Sequence, residues 1–254
     1  MTAMPIDAEP NETPCLVLIH GGHHTAGSWE PTIRALHRRA PEIPVLAPDL
    51  PGRGASPADL NYATLEDSVT TVIDAVETKG LRSVVLVAHS MGGLVVPAVA
   101  ACLGSDVVRR MIFVAAFVPP DGTSIVESLT GVMAAATKPA ALKRTAARPL
   151  PRTLVRHVFC NGMTPAQRKF NYAQICGESR LVAQTPVDRS AMPRDIPKTW
   201  VFTRRDRALS PRQQRRCIEN LGGVDEVVEI DACHNVMISH PDRLAELLAS
   251  HAWG

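Results

Sequence analysis

A chain of 254 residues is long enough for one α/β domain with a sizeable core and short for two independent domains. Its 45% hydrophobic and 20% charged residues are typical of a globular protein, and a formal net charge of +2 argues against nucleic acid as a partner. Residues 1–14 lack the basic start and apolar stretch of a signal peptide, and every long apolar stretch is interrupted. We therefore expect a cytoplasmic protein without a membrane span.

Short apolar runs alternate with amphipathic stretches along most of the chain, which predicts a mostly parallel sheet of about six strands flanked by helices. The predicted strands are residues 15–19, 43–47, 83–88, 111–115, 199–202 and 226–230. The predicted helices are residues 29–39, 65–79, 91–103, 211–221 and 241–251. Ligands bind at the carboxyl ends of parallel strands, so we expect a functional site in the loops that follow these strands.

The alternation stops between residues 119 and 193, which are rich in alanine, proline and basic residues and contain no good strand. We interpret residues 119–193 as a helical cap inserted into a core made of residues 1–118 and 194–254. Within the cap, Thr164 followed by Pro165 and Gln167 predicts a helix N-terminus, with the helix running to about Cys176.

Charge is uneven in the predicted cap, because residues 128–177 include no aspartate or glutamate. One interpretation is a solvated helical face; the other is a positive field that attracts an anionic substrate, a coenzyme A thioester or an acyl carrier protein. The basic residues are Lys138, Lys143, Arg144, Arg148, Arg152, Arg156, Arg168 and Lys169.

The segment VVLVAHSMGG, residues 84–93, joins a β-branched apolar run to a serine and then to an apolar helical face. A nucleophilic serine at such a strand-to-helix turn needs small residues two positions before and after it. Ala88 and Gly92 meet this requirement around Ser90. The pattern predicts a nucleophile elbow, and the alternative is a serine that only caps the helix.

A nucleophilic serine needs a base and a group that orients the base. His234 follows the last predicted strand and Asp206 follows the strand before it, which gives the chain order serine, aspartate, histidine. An exposed salt bridge with the flanking arginines is the alternative for Asp206. Asp49 is the rival acid, and we expect it to fix its own loop through nearby backbone amides.

The glycines after the first predicted strand, in His20-Gly21-Gly22, suggest an oxyanion hole. The backbone N–H of Gly22 would act with that of Met91, although an ordinary glycine turn is the alternative. Three residues that adjoin Gly22, Ser90 and His234 in the sequence are assigned to the pocket, namely Gly21, His89 and Asn235. Packing is the expected role of His89. This chemistry requires no metal and no organic cofactor.

The chain contains six cysteines and no Cys-x-x-Cys pair. In a reducing compartment this pattern favours free buried thiols over a disulfide set or a metal site. The cysteines are Cys15, Cys102, Cys160, Cys176, Cys217 and Cys233.

Taken together, these motifs resemble the α/β-hydrolase superfamily, and within it the plant methylesterase and hydroxynitrile lyase group with its bacterial relatives. The resemblance implies an α/β-hydrolase fold and a serine triad. The lyases of that group carry a threonine and a lysine where this chain has Gly21 and Asn235, so both departures favour ester hydrolysis. The segments that carry the resemblance are His20-Gly21-Gly22, Trp29, residues 49–54, residues 88–93, residues 114–119 and Cys233-His234.

The sequence therefore predicts a serine hydrolase that cleaves a carboxylic ester of a small to medium organic molecule. A lyase, cyclase or thioesterase could use the same residues, because a base beside an oxyanion hole can also remove a proton and expel a leaving group. A ligand receptor that retains the triad is a further alternative.

Overall fold

The computed structural model describes residues 13–129, 134–135 and 146–253. Six strands form one sheet in the order β2-β1-β3-β4-β5-β6, and every neighbouring pair is parallel. The predicted sheet is thus confirmed. The strands are β1 Cys15–Ile19, β2 Val45–Leu46, β3 Val84–His89, β4 Val108–Val114, β5 Lys198–Thr203 and β6 Glu226–Ile230.

Helices cover the sheet, and each of the five helices predicted outside the cap is found with its ends within one residue of the predicted position. A short 3₁₀ helix, Ala26–Trp29, leads into the first of them. The α-helices of the described residues are α1 Glu30–Arg39, α2 Leu65–Thr78, α3 Gly92–Leu103, α4 Ile125–Ser128, α5 Arg152–Val158, α6 Pro165–Ala173, α7 Arg180–Gln184, α8 Pro211–Asn220, α9 Val236–Ser239 and α10 Pro241–His251.

Two strands differ from the prediction by more than one residue at one of their ends. β2 is limited to Val45–Leu46 rather than residues 43–47, because Pro44 has no backbone N–H to donate and Pro48 lies just beyond the strand. β4 begins at Val108 rather than at residue 111. Arg109 and Arg110 interrupt the apolar pattern there, although the backbone continues to pair with β3 through a register shift.

The core lies on both faces of the sheet, because successive strand residues point to opposite sides. Leu16 and Leu18 of β1 pack with α1 and α10 on one face, and Val17 and Ile19 pack with α2 and α3 on the other. Every residue of β1 and β3 is buried. The sheet is therefore a rigid support for the loops at its carboxyl edge.

We call residues 119–193 the cap segment. Its described part contains the helices α4 to α7 and one isolated bridge between Ala147 and Glu178. Thr164 caps α6 as predicted: its side chain accepts from the Gln167 N–H, and the Gln167 side chain accepts from the Thr164 N–H. The helix ends at Ala173, earlier than predicted, because the Cys176 N–H donates to the His23 carbonyl instead. The division into core and cap stays a prediction.

The eight lysines and arginines between positions 128 and 177 divide into two groups. Lys138, Lys143 and Arg144 lie outside the described residues. Arg148, Arg152, Arg156 and Lys169 are exposed, whereas Arg168 is partly buried and donates to the Met163 carbonyl. The exposure of this second group agrees with a solvated face.

All six cysteines lie in the described ranges and are free thiols. Cys102 is exposed and Cys176 is half-buried, so the expectation of buried thiols holds for the other four. Among the described helices, none is long and apolar enough to cross a membrane.

A buried ion pair connects the cap segment to the loop after β2. The guanidinium of Arg53 contacts the Glu178 carboxylate, and the two side chains are 3% and 5% exposed. Glu178 also accepts from the backbone N–H groups of His23, at 2.9 Å, and Ser179, at 2.8 Å. A charge at this depth is stable only when it is paired, so each member of the pair depends on the other.

We expect Arg53→Met to lower the free energy of unfolding by about 3–5 kcal/mol, because it leaves the Glu178 carboxylate buried without its cation. The double variant Arg53→Met with Glu178→Leu should recover part of this loss. Arg38→Met is the matched control, since its pair with Asp242 is largely exposed and worth little. Urea titrations measure the effect, and equal losses for Arg53→Met and Arg38→Met would contradict it.

Candidate active site

Ser90 occupies the sharp turn between β3 and α3. Its φ of 51° lies in the left-handed region, which non-glycine residues rarely adopt. The Ser90 carbonyl accepts from the N–H groups of Gly93, at 3.0 Å, and Phe117, at 2.8 Å. A Cβ at Gly92 would lie 2.9 Å from the Ile19 carbonyl oxygen, so this position has to be glycine. The geometry is that of the predicted elbow.

Ser90, His234 and Asp206 form a continuous hydrogen-bonded row. The Ser90 hydroxyl lies 2.9 Å from His234 Nε2, and His234 Nδ1 lies 2.7 Å from Asp206 Oδ2. A carboxylate only accepts, so Nδ1 carries the proton and Nε2 has a free lone pair for the serine hydroxyl. This is the orientation that a general base for Ser90 requires.

Asp206 is held by more than the histidine. Its Oδ1 accepts from the N–H groups of Ala208 and Leu209, both at 2.8 Å, and its Oδ2 accepts from the Thr203 hydroxyl at 3.0 Å. Its side chain is 0% exposed, so the surface salt-bridge alternative is wrong. The flanking residues Arg204 and Arg205 pair with Glu229 and Asp231 instead.

The rival carboxylate, Asp49, holds its own loop. Its two oxygens accept from the N–H groups of Ala26, at 2.7 Å, and Ala55, at 2.8 Å. The role predicted for Asp49 is confirmed.

Two further histidines, His89 and His20, hydrogen-bond to backbone carbonyls near the row. His89 Nε2 lies 3.1 Å from the His234 carbonyl, to which it donates, and its ring is edge-on to Trp29. His20 donates from Nδ1 to the Gly21 carbonyl, at 2.9 Å, and accepts the Leu50 N–H at Nε2. Burial lowers the pKa of His20 to about 3 and that of His89 well below its ordinary value. Both rings are therefore neutral at pH 7.

A cavity of about 90 Å³ opens beside Ser90. Gly22 and Met91 lie on its wall, and the hydrogen bonds of the described residues include none donated by their backbone N–H groups. These two backbone donors belong to residues that line the same cavity as Ser90, which is where an oxyanion hole would need them. The remaining wall is mostly apolar, with Phe117, Ile125, Leu129 and Phe159 among its residues.

A larger cleft of about 480 Å³ lies on the other side of Phe117, with Pro119, Leu209 and Arg216 among its lining residues. Ser90 is not among the described residues that line this cleft. The smaller cavity is therefore the candidate site, despite its size.

Three residues assigned to the pocket lie close to Ser90 or His234 without lining the cavity. Gly21, His89 and Asn235 are not among the described residues that line the cavity. Gly21 packs against Ser90 and the His89 ring, since a Cβ on it would lie 2.8 Å from Ser90 Cβ and 2.9 Å from His89 Nδ1. Asn235 turns toward the cap segment and donates to Asn171. Adjacency in sequence suggested these residues for the pocket, but none of the three is found on the cavity wall.

The cap segment supplies contacts that the sequence did not reveal. The Phe159 ring stacks on His234 with a centroid distance of 5.3 Å, and Glu178 and Arg180 line the cavity. His23 also lines it, and burial lowers the pKa of His23 to about 4. No spacing rule connects these residues to Ser90, because they come from separate loops and short helices.

Comparison with known proteins places the chain in a family. A model described as the alpha/beta hydrolase family matches residues 16–247, so the chain belongs to the α/β-hydrolase family. The chain is 33% identical over 115 residues to a carbendazim hydrolyzing esterase from Nocardioides sp. (strain SG-4G). This match covers 44% of the chain and 46% of the esterase, so the chain spans less than half of that relative's length.

Solved structures match over nearly the whole chain. An extracellular α/β-hydrolase from a Paenibacillus species, which shares structural and functional homology with tobacco salicylic acid binding protein 2, is 27% identical with a TM-score of 0.79. The match covers 93% of this chain and 98% of that one. A methylesterase from Arabidopsis has a TM-score of 0.73 at 18% identity, with 93% and 98% of the two chains covered, which shows a common fold.

We expect Gly21→Ala to lower the free energy of unfolding by about 1–3 kcal/mol, because the added methyl group has to displace Ser90 or the His89 ring. Gly27→Ala is the matched control, since its nearest contact is the movable end of the Gln174 side chain. Denaturant titrations of both variants measure the difference. A Gly21→Ala protein as stable as the wild type would show that the contact relaxes without cost.

Proposed function

We propose that this protein is a serine hydrolase that cleaves a carboxylic ester of a small to medium organic molecule through an acyl-enzyme. The observation that carries the proposal is the hydrogen-bonded row of Ser90, His234 and Asp206, which ends at a cavity that Gly22 and Met91 also line. The esterase and hydrolase names of its relatives support the same reaction class.

Acylation begins with the serine. His234 Nε2 accepts the Ser90 proton as Ser90 Oγ attacks the ester carbonyl carbon, and Asp206 stabilises the imidazolium that results. The N–H groups of Gly22 and Met91 bind the oxyanion of the tetrahedral intermediate. His234 then donates its proton to the leaving alcohol, which departs and leaves the acyl group on Ser90.

Deacylation repeats these steps with water as the nucleophile. His234 removes a proton from the water, and the second tetrahedral intermediate collapses to release the acid and restore Ser90. No metal or organic cofactor takes part in either half of this proposed reaction.

The volume of the cavity limits the size of the acyl group. Its volume of about 90 Å³ is far below the roughly 300–1,000 Å³ of sites that enclose drug-sized ligands. We propose that it accepts a short acyl group among apolar residues. The anionic substrate or acyl carrier protein at the basic cap residues stays a prediction of the sequence, and the described basic residues of that group do not line this cavity.

Ser90→Ala and His234→Ala should each abolish hydrolysis of 4-nitrophenyl acetate, with kcat reduced by about 10⁴-fold or more, and the double variant should be no worse than either single one. Asp206→Asn should lose about as much, because the imidazole then favours the wrong tautomer. Asp49→Asn is the control, since it loses loop hydrogen bonds and keeps the row intact. A Ser90→Ala protein with kcat within about tenfold of wild type would refute the assignment of the nucleophile.

A further inference from the structure

A second buried polar cluster lies beside the Ser90–His234–Asp206 row. It contains His24 from the loop after β1, Asn171 from α6 of the cap segment and Asn235, which directly follows His234 in the chain. These residues are 1%, 0% and 0% exposed. Asn235 Nδ2 lies 2.7 Å from Asn171 Oδ1 and 3.0 Å from His24 Nε2, while His24 Nδ1 lies 2.9 Å from the Gly22 carbonyl.

The direction of each hydrogen bond follows from one fixed acceptor. The Gly22 carbonyl can only accept, so His24 Nδ1 carries a proton, and burial lowers the pKa of His24 so that its ring is neutral. His24 Nε2 is then an acceptor, so it cannot bond to Asn171 Oδ1, another acceptor that lies 3.2 Å away. The Asn235 amide has to present its NH₂ group to His24 Nε2. The same NH₂ group donates its second hydrogen to Asn171 Oδ1. Reversing the Asn235 amide would oppose lone pairs at both partners.

This arrangement fixes Gly22 from both sides. His20 donates to the Gly21 carbonyl, which belongs to the same peptide unit as the Gly22 N–H, and His24 donates to the carbonyl of Gly22 itself. Glycine has unusual backbone freedom, so a Gly22 amide that is aimed at an oxyanion needs such restraint. The restraint from His24 depends on Asn235 and, through it, on a side chain of the cap segment.

Asn235 keeps this arrangement at a cost. Among the described residues its Oδ1 is buried and has no hydrogen-bond partner. A buried polar atom without a partner destabilises the folded state, so the contacts of the NH₂ group have to outweigh this penalty.

We propose that His24, Asn171 and Asn235 are positioning residues through which the cap segment aims the Gly22 N–H at the oxyanion. The inference rests on the proposed function and adds a role for three residues that do not touch the substrate. It also gives Asn235 a role other than lining the pocket.

Gln167 offers a matched control on the same helix. It lies four residues before Asn171, and its Nε2 donates to the carbonyls of Ile238, at 3.1 Å, and Ser239, at 3.0 Å. Gln167→Ala therefore removes these two contacts and the Gln167 half of the α6 capping box, and it deletes no atom of the cluster of His24, Asn171 and Asn235. Asn171→Ala removes an outer member of the cluster and Asn235→Ala removes its middle member, so one variant remains informative if the other does not fold.

The probe is a fluorophosphonate, which reacts with an activated serine and requires no knowledge of the natural substrate. For Asn171→Ala and Asn235→Ala, we expect the maximal rate of labelling at Ser90 to fall by about 10- to 100-fold, less than the roughly 100- to 1,000-fold for loss of a donor. The concentration for half-maximal rate should stay within about twofold, because ground-state binding is unchanged. For 4-nitrophenyl acetate, kcat should likewise fall by about 10- to 100-fold, whereas KM should stay within about twofold. The double variant should lose no more than the single ones, since one chain of contacts is broken.

Gln167→Ala should label at a rate close to that of the wild type. An equal loss of labelling rate in Gln167→Ala and Asn171→Ala would show that the cluster only anchors the cap segment, and it would overturn the inference. Labelling at the wild-type rate in both cluster variants would also overturn it. If the wild type itself is not labelled at Ser90, the proposed function fails. Labelling of the wild type thus tests the proposed function, and the comparison of the variants tests the role of the cluster.

Discussion

The left-handed backbone of Ser90 is the constraint on which the rest of the site depends. A non-glycine residue in this region costs about 1–3 kcal/mol, and it persists only where the surroundings hold it. Here the Ser90 N–H donates to Val114 at the end of β4, and the Ser90 carbonyl accepts from Gly93 and Phe117. The strands β1, β3 and β4 therefore fix the position of one hydroxyl group. His234 reaches that hydroxyl and Asp206 reaches His234, because their loops leave the same edge of the same sheet.

Neutral imidazoles organise the surroundings of the row. Burial disfavours the charged form of His20, His24 and His89, and each ring then has one donor and one acceptor. The donors are used on the carbonyls of Gly21, Gly22 and His234 respectively. A set of histidines that would repel one another as cations thus becomes a set of oriented dipoles around the candidate oxyanion hole. The fold therefore positions the site through the hydrogen bonds of these neutral rings as well as through packing.

The sequence predicts the parts of this structure that local pattern determines. Alternating apolar runs predict the sheet, and the glycines around Ser90 predict its turn, because strand burial and left-handed backbone impose strict requirements on residue type. Asp206 and His234 could be located because each follows a strand. In contrast, Asn171 and Glu178 are single polar residues in the cap segment, and their partners Asn235 and Arg53 lie 64 and 125 residues away. No periodicity marks such contacts, so the hydrogen bond between Asn235 and Asn171 could not be predicted.

The central claim, that Ser90 carries an acyl group during turnover, is tested most directly by intact and peptide mass spectrometry of protein quenched with acid during hydrolysis of 4-nitrophenyl acetate. An acyl-enzyme on Ser90 should appear as one added acetyl group on the peptide that contains Ser90, formed at the rate of the initial burst of nitrophenolate. No adduct should form in Ser90→Ala. Steady turnover by the wild type with no acetyl group on that peptide, or with the acetyl group on another side chain, would contradict the account.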